Sequence, residues 1–287
     1  MTIRKWKAAL LAGVLAAAGS VAQAEVDELK LMSQYGIGYM QLTVMKADKL
    51  VEKHLAKNGL ADTKVSWARL GAGAAANDAL LAGGLHMAAG GTGPAFILWD
   101  RTRGNVGVHG ISALSSMPNL LVTRNPNIKT IKDFTEKDRI AMAGAGSSVQ
   151  TIYLQMAAAK EFGIDNFKKL NPLMVNLPHP EGLRALLSGQ GEVTAQFTSP
   201  PFQNTALASP GIHKVLDSYE IMGGPNTFLM VWATKKFRDE NPKTYKAVLE
   251  AMKEATAAIN ADMKRAAEVY VKEGSGKQTA EAILKIM

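Results

Sequence analysis

From residue 28 to residue 240, short apolar runs alternate with amphipathic stretches of helical spacing. Strands are predicted at Glu28 to Met32, Lys64 to Leu70, Leu85 to Ala89, Val106 to Ile111 and Leu120 to Thr123. Further strands follow at Arg139 to Ala143, Leu173 to Leu177, Val193 to Phe197, Lys214 to Leu216 and Phe228 to Thr234. The helices predicted between them are Leu42 to Asn58, Asn77 to Ala82, Pro94 to Thr102, Thr130 to Phe134, Ser148 to Phe162, Glu181 to Leu187 and Pro200 to Leu207. The tail reads as one long helix, capped by Asn241 with Pro242 at its first position. Its apolar stripe runs from Tyr245 through Val248, Met252 and Ile259 to Tyr270. Gly274-Ser275-Gly276 breaks it before a last helix from Thr279. Such alternation predicts an α/β fold with mixed, mostly parallel sheets flanked by helices.

Two stretches about a hundred residues apart repeat one pattern. Ala79-Leu80-Leu81-Ala82-Gly83, then Ala89, then Thr92-Gly93-Pro94-Ala95-Phe96, aligns without a gap on Ala185-Leu186-Leu187-Ser188-Gly189, Ala195 and Thr198-Ser199-Pro200-Pro201-Phe202. Each copy reads as a helix end, a Gly stop, a buried strand and a helix opened by Pro. The chain thus divides into two similar lobes. Ser115 to Asn119 and Met222 to Asn226 are natural crossings between them. The expected partition is residues 25–117 with 224–287 in lobe 1, and 118–223 in lobe 2. Ligands of α/β sheets bind where strands end, so two such loops predict a cleft with one wall from each lobe.

The first residues bear on the compartment. Arg4, Lys5 and Lys7 precede the apolar Ala8 to Ala18, and Ala22-Gln23-Ala24 is an A-x-A cleavage site. Residues 1–24 are therefore expected to be a signal peptide, with a mature chain starting near Glu25 in a periplasm. The apolar run is too short for a spanning helix of about 20 residues. The chain has no cysteine, which removes disulfides, thiolate metal sites, a cysteine nucleophile and a lipidated cysteine anchor together. Removing the three basic signal residues lowers the formal charge from +8 to +5, a mild excess. No Lys/Arg run with interleaved aromatics suggests nucleic acid.

Gly144-Ala145-Gly146-Ser147-Ser148-Val149-Gln150-Thr151 follows a strand and opens a helix. First-turn N–H groups there are unpaired and favour an anion, and Ser147 and Ser148 add hydroxyls. Ser147-x-x-Gln150 also reads as a capping box. Gly71-Ala72-Gly73-Ala74-Ala75-Ala76 resembles a dinucleotide fingerprint, but no acidic residue lies between Ala79 and Trp99, so it reads as a close-packed turn. Catalytic patterns are poor: there is no G-x-S-x-G and no P-loop. His54, His86, His109, His179 and His213 are scattered without metal-ligand spacing. Among them, His179-Pro180-Glu181 opens a lobe-2 helix and is placed to line the cleft.

The segments Gly144 to Gln155, Gly189 to Phe202 and Phe237 to Asp262 resemble the periplasmic substrate-binding proteins of ABC importers in the nitrate, aliphatic-sulfonate and taurine group, which shares a superfamily with thiamine-pyrimidine-synthase-like domains. The likeness spans nearly the whole mature chain. It implies a two-lobed type II periplasmic-binding clamp that captures a small, anionic, sulfonate-, nitrate- or taurine-like ligand and delivers it to a membrane permease and its ATPase. It implies a monomer with no cofactor, no metal and no catalysis. Ligand-binding positions carried over are Gln34, Tyr35, Thr92, Gly93, Ser116, Ser147, Ser148, Gln150 and Ser199. No arginine lies in the Gly144 to Thr151 loop, so an anion there would rest on neutral donors and the helix end. Two alternatives stay open. One is an enzyme of the pyrimidine-synthase type, though that group uses a cysteine-rich motif absent here. The other is a binding module that serves a sensor.

Overall fold

A computed structural model describes residues 25–274 and 278–287 of the chain. The expected signal segment and its cleavage site, residues 1–24, and part of the glycine break at 275–277 lie outside the described residues. No helix among the described residues is long and apolar enough to cross a membrane.

The chain opens with β1 (Glu28–Ser33), α1 (Met40–Ala47), α2 (Leu50–Lys57), β2 (Lys64–Arg69) and α3 (Gly73–Leu81). Next come β3 (Met87–Gly91), α4 (Thr92–Thr102), β4 (Val108–Ser115), β5 (Leu120–Thr123), β6 (Arg139–Met142) and α5 (Val149–Phe162). They are followed by β7 (Met174–Asn176), α6 (His179–Ser188), β8 (Val193–Thr198), α7 (Phe202–Leu207), β9 (His213–Asp217) and α8 (Ser218–Met222). The chain closes with β10 (Leu229–Thr234), α9 (Lys235–Glu240), α10 (Pro242–Ala261), α11 (Met263–Glu273) and α12 (Ala280–Leu284).

Two groups of sheets result. One side holds the β1-β2 pair and the sheet β3-β10-β4, and the other holds the five-stranded sheet β7-β6-β8-β5-β9. Parallel ladders join β1 to β2, β6 to β7 and β6 to β8. Every antiparallel ladder involves β5 or β10, the first strand after each crossing. A strand that enters a sheet from the opposite lobe arrives against the direction of its neighbours. The antiparallel share is therefore larger than alternation by itself predicts.

Two long helices are each broken. The stretch read as Leu42 to Asn58 is α1 and α2, parted at Lys49, whose φ of 50° is left-handed. A lysine pays for that conformation. The compensation is tertiary: Asp48 pairs with Arg265 at 2.6 Å, and α2 meets α10 through Asn58 to Glu250 (2.9 Å) and His54 to Glu254 (2.7 Å). The tail helix is likewise α10 and α11. Asp262 leaves helical geometry and caps α11 by accepting from Arg265 N at 2.9 Å. At the start of α10, Asn241 makes no side-chain cap bond to the helix it precedes. The Glu25 carboxylate serves instead, accepting from Lys243 N (2.8 Å), Thr244 N (2.9 Å) and Thr244 Oγ1 (2.7 Å).

Trp232 on β10 is fully buried and ties the first lobe together. Its indole N–H donates to Asn77 Oδ1 at 3.1 Å, and Asn77 Nδ2 donates to the Pro94 carbonyl at 2.9 Å. Its ring lies over Gly90, where a Cβ would sit 3.1 Å from it. The returning strand thereby positions the starts of both α3 and α4.

Candidate functional site

The N-terminus of α5 is built by two glycines with positive φ, Gly144 (70°) and Gly146 (94°). They wind the chain through an extra turn in which both Ser147 N and Ser148 N donate to the Gly144 carbonyl, at 3.1 and 2.8 Å. That turn moves the cap one residue on from the capping box read in the sequence. Ser148 is the N-cap, its Oγ accepting from Thr151 N at 3.2 Å. The Gln150 amide does not reach back; it donates to Asn119 Oδ1 at 2.8 Å. The N–H groups of Val149 and Gln150 have no acceptor among the described residues.

This helix end opens on a cavity of about 30 Å³ between the lobes, room for about two waters. The first lobe contributes Gln34 and Tyr35 after β1, Tyr39, Gly73 and Pro94, with Phe228 and Leu229 at the start of β10. The second contributes Ser148, Val149 and Gln150, with His179 from α6 and Ser199 after β8. No Lys or Arg lines it among the described residues. Gln34 Nε2 donates to the Ala89 carbonyl at 2.9 Å, which leaves its Oε1 as an acceptor. Ser199 is 3% exposed, and its hydroxyl has no partner among the described residues. Cations stand in an adjoining cleft that shares Gln34 and Tyr35. There the Arg69 guanidinium lies 5.5 Å from the Tyr35 ring centre, and Lys46 pairs with Glu273 at 3.1 Å.

Of the residues singled out in the sequence, Gln34, Tyr35, Ser148, Gln150 and Ser199 come together on this wall. Thr92, Gly93, Ser116 and Ser147 do not line it. Thr92 N donates to the Phe228 carbonyl at 3.1 Å, fixing α4 to β10. Gly93 is where α4 packs on α5: a Cβ there would lie 3.2 Å from the Val149 N and Cα atoms. Ser116 sits in the first crossing, its carbonyl accepting a hydrogen bond from the Tyr219 hydroxyl and its Oγ lying 3.2 Å from that oxygen. Ser147 is half-buried beside the cap. The copied pattern also diverges. Pro94 lies within the first turn of α4, whereas α7 starts only at Phe202, after the cis Pro200–Pro201 bond.

Tyr39, Phe228 and Leu229 on the wall were not legible, because apolar residues at strand edges look the same whether they face core or cleft. His179 is more informative. It is 8% exposed and stacks on Phe202 with ring centres 5.5 Å apart. Its Nδ1 lies 2.9 Å from Thr198 Oγ1. Burial pushes the imidazole down to about 4, so it is neutral near pH 7. Burial likewise holds the Tyr39 phenol well above its ordinary value. The wall is thus uncharged, donor-rich and partly aromatic. Among the described residues, the hydroxyl within reach of His179 is that of the fully buried Thr198, which does not line the cavity.

Both crossings are tied to α5 from one helix face, a turn apart. Gln150 holds Asn119 in the first, and Tyr153 donates to Asn226 Oδ1 in the second at 2.9 Å.

Residues 22–271 match the model of the NMT1-like family. No curated protein matches the chain in sequence. Among solved structures, the alkanesulfonate-binding protein SsuA of Xanthomonas axonopodis pv. citri, bound to MOPS, superposes with a TM-score of 0.71 at 15% identity, over 92% of this chain and 84% of that one. The periplasmic aliphatic sulphonate-binding protein SsuA of Escherichia coli gives 0.64 at 18% identity, over 92% and 82%. The periplasmic nitrate-binding protein NrtA of Synechocystis PCC 6803 gives 0.66 at 14% identity, over 92% and 69%. These likenesses show a shared fold, the two-lobed α/β architecture of periplasmic binding proteins.

Proposed function

The chain belongs to the NMT1-like family, and from that premise we propose that it is the solute-binding component of an ABC importer. It captures a small anionic ligand of the sulfonate, nitrate or taurine kind between its lobes and hands it to a membrane permease with its ATPase. The lobes are residues 25–117 with 224–287, and 118–223. The chain acts as a periplasmic monomer after cleavage near Glu25, and it binds without catalysis.

The observation that carries this reading is the cavity between the lobes, lined among the described residues by donors at strand and helix ends; its room for about two waters widens as the lobes part to admit a ligand. Free N–H groups at the start of α5 suit an oxyanion. Gln34 Oε1 is the acceptor that an amino group, such as that of taurine, requires. Gln34, Tyr35, Ser148, Gln150 and Ser199 make direct contact in this reading. Thr92, Gly93, Ser116 and Ser147 act around them, through the lobe interface, the first crossing and the α5 cap. The likeness to sulfonate- and nitrate-binding proteins supports the ligand class.

A thermal-shift screen of residues 25–287 against sodium nitrate, methanesulfonate, taurine and MOPS tests it. A ligand at a hundredfold its Kd adds about 2.7 kcal/mol to folding stability. For a chain this long that raises the melting temperature by about 5–10 °C. A folded protein that shifts with none of the four refutes the ligand class.

A further inference from the structure

Thr198 is fully buried, and its hydroxyl has one partner among the described residues, His179 Nδ1 at 2.9 Å. A buried hydroxyl proton without an acceptor costs about 1–3 kcal/mol. If Nδ1 carried the ring proton, the Thr198 proton would be stranded. If Nδ1 is bare, the hydroxyl donates to it, and the ring proton sits on Nε2. The Phe202 ring stacked on the imidazole fixes its plane. Nε2 has no protein partner among the described residues, and His179 lines the cavity. Ser199, the residue after Thr198, brings a second unpartnered donor to the same wall from a position 97% buried.

We propose that His179 is a specificity-determining residue of the cleft, held by Thr198 with Nε2–H toward the cavity, where it and the Ser199 hydroxyl donate to an unprotonated oxygen of a small oxyanion. This rests on the reading of the cleft as a solute site. The imidazole stays uncharged at neutral pH because burial lowers its proton affinity. The site therefore recognises the anion by directed neutral donors instead of by a cation. Nε2–H can donate but cannot accept, so a fully ionised oxyanion such as nitrate or a sulfonate suits it better than one that keeps an O–H, such as hydrogen phosphate.

The first test needs no ligand. In ¹⁵N-histidine-labelled protein, long-range ¹H–¹⁵N correlation, with the His179 signals identified by their loss in His179→Gln, reads the tautomer. The expected result is a single Nε2–H form that becomes mixed in Thr198→Val. A dominant Nδ1–H form in the wild type overturns the inference. The second test is calorimetry with sodium nitrate and sodium methanesulfonate. Thr198→Val keeps the ring and its stacking, and it and Ser199→Ala are each expected to weaken binding about 10- to 100-fold. If the wild type binds and both variants bind equally well, the role of His179 is refuted while the solute site stands. If the wild type binds neither anion, the oxyanion class falls for the whole cleft, whatever the tautomer.

Discussion

Gly93→Val perturbs one of the contacts through which the lobes meet, the approach of α4 to α5. A Cβ at Gly93 would lie 2.6 Å from Ile152 Cδ1 and 3.2 Å from both Cα and N of Val149. The isoleucine methyl can rotate away. The Val149 backbone cannot, because it is the first turn of α5, pinned by the Ser148 cap and by Gln150 on Asn119. Gly91 makes the same approach, with a Cβ 2.9 Å from Val149 Cγ1. Overpacking of this kind costs about 1–3 kcal/mol, and valine adds two further methyls to the clash. The cost falls on the arrangement in which α4 touches α5, not on either lobe alone. Gly93 is the second residue of α4, so losing a glycine slightly favours the helix. At about 1.4 kcal/mol per decade, the balance between touching and parted lobes shifts about 5- to 150-fold. The assay is a distance distribution between spin labels on Leu81→Cys and Ile164→Cys, which are 50% and 74% exposed on opposite lobes. The chain has no cysteine of its own, so labelling is confined to these sites. Longer distances at an unchanged melting temperature are expected. A distribution that coincides with that of the parent would refute the argument, showing that the clash is absorbed without parting the lobes.

Stability against pH should carry a signature of His179. Its folded value of about 4 lies below its ordinary 6.5, so between the two the unfolded chain binds the extra proton. The contribution is complete above about pH 6.5 and is lost as pH falls toward 4, up to about 3 kcal/mol; denaturant titrations of His179→Gln should show a shallower acid limb. Glu25→Ala removes the acceptor of three hydrogen bonds at the start of α10. It should cost about 1 kcal/mol, seen as a melting temperature about 2–4 °C lower. Tyr153→Phe frees Asn226 in the second crossing. Stability should fall by about 1 kcal/mol, with amide exchange at residues 224–228 accelerated relative to β6.

The strands were legible because a buried strand is a short apolar run whatever its neighbours. Breaks in helices were not. Lys49 is no helix breaker by type, and its left-handed turn exists because Asp48 and α2 find partners on α11 and α10, 217 and 192 residues away. At the site, polar residues at strand ends were readable as candidates, but which of them reach the cavity was not. Gln150 could serve a cap, a ligand or a hinge, and only the arrival of Asn119 beside it decides.

The repeated motif shows where that boundary lies. Phe96 and Phe202 hold the same place in the two copies, yet Phe96 is 61% exposed and Phe202 is 5% exposed. Periodicity and turn chemistry are local, so the sequence by itself determined the α/β alternation, the two-lobed class of fold and the polar loops after β1, β6 and β8. Burial, tautomer and contact across the cleft depend on what the other lobe presents. Only the tertiary structure therefore decided that Phe202 packs beneath His179, that Thr198 lies against its ring, and that Gly93 packs on α5 outside the cavity lining.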